Sequence, residues 1–75
     1  MNNDRRLMLH NALTSLDTAL EIINEAMNEE QDCLDHFPEN LLCSDRCSEM
    51  EDNISNMEDA IEKIEEAKES IDFLL

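Results

Sequence analysis

Leu9, Leu13, Leu16, Leu20, Ile23, Met27, Glu30 and Leu34 follow one another at alternating spacings of four and three. That rhythm is the heptad seam of a coiled-coil helix, and Glu30 is its one polar member. A second seam of the same period runs through Met50, Ile54, Met57, Ile61, Ile64, Lys68, Ile71 and Leu75. Extended backwards, it also takes in Cys47 and Cys43. Ala12, Ala19, Ala26 and Cys33 recur every seven residues beside the first seam, and Ala60 and Ala67 flank the second. Small side chains at such positions let a partner helix approach closely. The chain has no Gly, which argues against tight turns and strands and for long helices.

Phe37-Pro38 separates the seams, because Pro removes a backbone donor and disfavours helical geometry in the residue before it. Asn2, Asn3 or Asp4 can cap the first helix. Ser44 can cap the second, or Ser48 can, with Glu51 completing a capping box. The expected fold is all-α: one domain spanning 1–75, with helices over about 3–36 and 45–75 joined by a connection over about 37–44. At ~1.5 Å per residue each helix is about 45–50 Å long, and the short connection makes them an antiparallel two-helix hairpin of coiled-coil type. Leu7, Met8, Ile22, Leu42, Phe73 and Leu74 lie off the seams and broaden the apolar face beyond what two strands use. A homodimer forming a four-helix bundle is therefore expected, with a marginally stable monomer. Lys68 and Glu30, the polar seam members, are expected to pair within or between subunits.

Twenty acidic residues face five basic ones, a net charge of -15. The imbalance is concentrated: from Asp17 to Glu62 there are fifteen acids and one cation, Arg46. Such a surface repels nucleic acid and anionic membrane and attracts basic protein surfaces. Asp17, Glu21, Glu25 and Glu29 stand four residues apart, a carboxylate every ~6 Å along the first helix. Glu58, Glu62 and Glu65 continue the negative charge on the second. Rows of carboxylates on a rod imitate a nucleic-acid backbone, and these seven residues are the candidate partner-binding set. The rival reading is a structural oligomerisation module whose charge only confers solubility.

Cys33, His36, Cys43 and Cys47 invite a zinc reading, since a structural site wants four N or S ligands in closely spaced pairs. Against it, the seam accounts for Cys43 and Cys47 as small apolar residues, and no Gly is present for a knuckle. Packed or idle thiols are the favoured reading, with no metal and no cofactor expected. A di-iron centre needs Glu-x-x-His, but Cys33 stands three residues before His36 and Leu7 three before His10. Nothing provides an EF-hand loop, and a two-helix rod offers no obvious pocket for nucleophilic catalysis. No enzyme is expected. The opening MNNDRRLMLHNALTSL has no continuous apolar run, and the cysteine count is odd. No signal peptide and a cytoplasmic, reduced chain are the expectation.

Glu29-Glu30-Gln31-Asp32, Phe37-Pro38-Glu39-Asn40-Leu41, Ser44-Asp45-Arg46 and Glu49-Met50-Glu51 together resemble a pattern in small acidic proteins encoded by phages and prophages. The resemblance covers roughly residues 16–72 and is most specific around the turn. It implies a helical hairpin of phage origin, working in the cytoplasm of a bacterial host, and carries no settled activity. The pattern lacks ligand-type residues at the positions of Cys33, His36, Cys43 and Cys47, so the fold it implies does not depend on a metal.

Overall fold

In a computed structural model, residues 1–38 and 45–75 are described, and they form an all-helical hairpin. Helix α1 spans Asn3–Asp35 and α2 spans Asp45–Asp72. The described residues make a rod of 60 × 15 × 12 Å. Two polar contacts between the helices mark the antiparallel register. Lys68 of α2 forms an ion pair with Asp17 of α1, and Asn53 Nδ2 donates to Glu30 Oε2 at 3.4 Å.

Asn2 caps α1: it has extended backbone geometry, and its Oδ1 accepts from the Arg5 amide at 2.8 Å. One of the otherwise orphaned amides of the first turn is thereby satisfied. Substituting Asn2→Ala is expected to cost about 1 kcal/mol, read as a lower midpoint in a urea unfolding curve with an unchanged slope. Within α1, the Thr14 and Thr18 hydroxyls donate to the carbonyls of His10 and Thr14, one turn back, which satisfies the hydroxyls on the exposed face of the helix. The helix stops at Asp35. His36 follows as its C-cap, its backbone amide bonding back to the Asp32 carbonyl at 3.1 Å and its Nδ1 lying 2.7 Å from the same oxygen.

Two expectations about α2 need correction. Ser48 does not begin the helix; it lies inside it, one turn beyond Asp45. The alternative cap, Ser44, falls outside the described residues. The helix also ends at Asp72 rather than running to Leu75. The Leu74 and Leu75 amides bond three residues back, to the carbonyls of Ile71 and Asp72. Last-turn carbonyls without intrahelical partners tighten the chain in this way.

The core is the seam. Every member from Leu9 to Leu34 is half-buried, as are Met50, Met57, Ile61, Ile64, Lys68 and Ile71. Only Cys47 and Ile54 are buried among the described residues, at 1% and 8% exposure, and of these Cys47 is fully enclosed. A single helix neighbour covers a stripe, not a face. Leu7, Met8, Ile22, Phe73 and Leu74 remain exposed, while Leu42 falls outside the described residues.

Candidate functional site

Heptad labels turn the rod into two distinct broad faces. Taking Leu13, Leu20, Met27 and Leu34 as position a of α1, and Cys47, Ile54, Ile61 and Lys68 as a of α2, fixes every other position. In an antiparallel pair the two e positions lie on one side of the seam and the two g positions on the other. The cross-helix contacts agree. Lys68 reaches Asp17, an e residue, whereas Glu30 meets Asn53, a g residue. At the open end, Leu74 (position g) joins Arg5, Met8 and Leu9 around one shallow groove, which Met1 completes.

The e side is acidic. Glu51, Glu58, Glu65 and Asp72 repeat every seven residues along α2, ~10.5 Å apart. Glu62 and Glu69 fill the adjoining b positions, and α1 adds Asp17 and Glu21. All seven candidate residues are exposed, but they do not share one line. A four-residue step advances ~40° around a helix. The series Asp17, Glu21, Glu25, Glu29 therefore winds from the e side across the back of α1. Glu29 ends on the opposite face, bordering a shallow depression with Ala26, Glu30 and Cys33. The structure thus places Asp17 and Glu21 on the same side as Glu58, Glu62 and Glu65, with Asp17 and Glu21 level with the Glu62–Glu65 stretch, puts Glu25 on the outer edge and separates Glu29. The stripe through Glu51 and Asp72 was legible as a seven-residue repeat, a period hidden when carboxylates are counted in steps of four.

One cation sits within this face. The Lys68 ammonium is raised above the usual lysine range by its hydrogen bond to Asp17. Partial burial opposes the shift, and the charges of Asp17, Asp72 and Glu65 reinforce it. Because the folded-state value is the higher one, Lys68 contributes its full stabilisation below the unfolded value of 10.5 and loses it as pH rises through the folded value. The melting temperature is expected to fall in that alkaline window, and Lys68→Met should flatten this part of the profile. Lys68 and Glu30 do not pair with each other within the hairpin. The antiparallel register sends Lys68 to Asp17 and Glu30 to Asn53.

The g side is nearly free of acid. Ala12, Ala19 and Ala60 line its floor, half-buried, and Ala26 and Ala67 are exposed. Met8 and Ile22, both at position c of α1, stand beside them at 69% and 61% exposure. Leu7 and Phe73 belong to other positions and do not join this patch.

The zinc alternative is not assembled among the described residues: no group of three or more His, Cys, Asp or Glu side chains there is arranged to hold a metal ion. Cys33 is exposed on the g side, whereas Cys47 is packed in the seam with its Sγ 4.0 Å from Glu51 Oε1. Cys43 lies outside the described residues. No described helix is long and apolar enough to cross a membrane.

The fold and its two faces define the chain as an acidic antiparallel helical hairpin. Comparison with family models, curated proteins and solved structures found no match to it.

Proposed function

We propose that the chain is a non-enzymatic interaction protein of phage or prophage type, whose acidic face binds and blocks a basic surface on a host protein. The fitting target is a nucleic-acid-binding enzyme, a nuclease or a CRISPR-type defence effector. The supporting observation is that Asp17, Glu21, Glu58, Glu62 and Glu65, drawn from both helices, share one exposed face with Lys68 as its internal cation.

Competition tests this directly. A fluorescent single-stranded oligonucleotide bound to a sequence-nonspecific nuclease with a basic cleft should be displaced by the hairpin. The apparent affinity should fall steeply between 50 and 200 mM salt, the range over which phosphate contacts weaken. Salt-independent displacement, or none, would remove the mimicry reading. The rival role as an oligomerisation module draws on the acid-poor face with its exposed Met8 and Ile22, and predicts self-association without displacement.

A further inference from the structure

We propose that two hairpins associate antiparallel through the acid-poor face, with a twofold axis crossing near Ser15 and Ala19 of α1 and near Ala67 of α2. The choice of face follows from charge. The e side of each copy presents Glu51, Glu58, Glu65 and Asp72, so two such faces cannot approach without like-charge repulsion. On the g and c positions, α1 has no charged residue from Met8 to Ala26, and α2 has only Lys63 from Asn53 to Leu74. This surface is also where the hairpin leaves apolar groups uncovered: Met8, Ile22 and Leu74 are all more than half exposed.

The antiparallel orientation follows from size and sign. With the axis between Ser15 and Ala19, Met8 meets Ala26 of the second copy and Ile22 meets its Ala12. On α2, Leu74 meets Ala60 of the second copy, and Ala67 meets its own counterpart. Met8, Ile22 and Leu74, the large apolar residues of the overlap, each face an alanine, the pairing that lets surfaces interdigitate at interior density. Arg5 simultaneously meets Glu29 of the second copy, which gives a purpose to the one acid of the α1 series that strays from the acidic face. A parallel arrangement instead sets Ile22 over Lys63 and leaves Arg5 facing no carboxylate. Overlap of residues 5–29 is ~36 Å long and, at two helix widths, ~20 Å across, or roughly 700 Å² per copy. That approaches the ~800 Å² per partner of a standard stable interface.

Sedimentation equilibrium of the intact chain at micromolar concentration should return twice the 8.7 kDa chain mass, and a clean monomer would overturn the proposal. Ile22→Glu should weaken association at least tenfold while circular dichroism retains the helices. Asn28→Glu adds the same charge on the other face and should leave the dimer intact. Equal effects from the two would place the contact elsewhere and refute this interface. For the orientation, Arg5→Glu and Glu29→Arg should each weaken the dimer about tenfold, and the double exchange should restore it. A double variant no better than the singles would overturn the antiparallel register.

Discussion

Ile54→Ala is expected to unfold much of the chain. Ile54 is one of two buried side chains among the described residues, and truncating a buried Ile to Ala costs about 2–5 kcal/mol in lost transfer energy and cavity. A domain of 75 residues has roughly 4–11 kcal/mol to lose, and one with so narrow a core stands near the bottom of that range. The melting temperature, followed by circular dichroism at 222 nm, should drop by at least about 10 °C. Leu7→Ala removes a comparable side chain from an exposed position and should stay within about 0.5 kcal/mol of the parent. If the two variants melt together, the seam is not what supports the hairpin.

The second large effect comes from charge. Replacing Glu21, Glu58, Glu62 and Glu65 together by Gln should weaken competition for a basic partner and stabilise the protein at the same time. Four exposed carboxylate contacts at about 0.5–1 kcal/mol each amount to roughly 2–4 kcal/mol, or about 30- to 800-fold in affinity. In the free hairpin the same carboxylates repel one another. Asp17 and Glu21, Glu21 and Glu25, Glu58 and Glu62, and Glu62 and Glu65 stand three or four residues apart, each pair costing about 0.2–0.5 kcal/mol. Relieving them, about 0.8–2 kcal/mol in total, should raise the melting temperature by roughly 3–16 °C. Asp17 is left in place because it holds Lys68. Opposite signs for binding and stability would mark the acidic face as kept for a partner. A variant that gains stability and competes as before would favour the solubility role.

Much of this architecture was legible because a heptad is a local pattern with one global solution. Leu9 through Leu34 announce a helix with one covered stripe, and each of those positions is half-buried. Cys47, reached by extending the second seam backwards, is the most buried described residue. What the linear pattern hid was direction around the helix. Steps of four residues keep Asp17, Glu21, Glu25 and Glu29 in contact with their neighbours while carrying the last of them to the far side. Likewise, Ser48 and Glu51 have capping-box spacing, but a cap needs the helix to begin there, and α2 has already made a turn by Ser48. Within the hairpin, Lys68 and Glu30 do not meet for a related reason: polarity marks which seam residues want partners, and only the register says which partners they reach in the same chain.

That register has its own guardian. Two aliphatic seams present the same pattern every seven residues, so apart from the ends that lose cover and the reach of the short connection, apolar packing does little to distinguish one heptad offset from the next. Slide α2 by seven residues and Lys68 falls beside His10 or Asn24, while Asn53 falls beside Ile23 or Phe37. Each displaced alignment loses both polar contacts and leaves an ammonium without its carboxylate. The ion pair at Asp17 and the amide contact at Glu30 act as two notches of a slide bolt, and they engage together at a single offset.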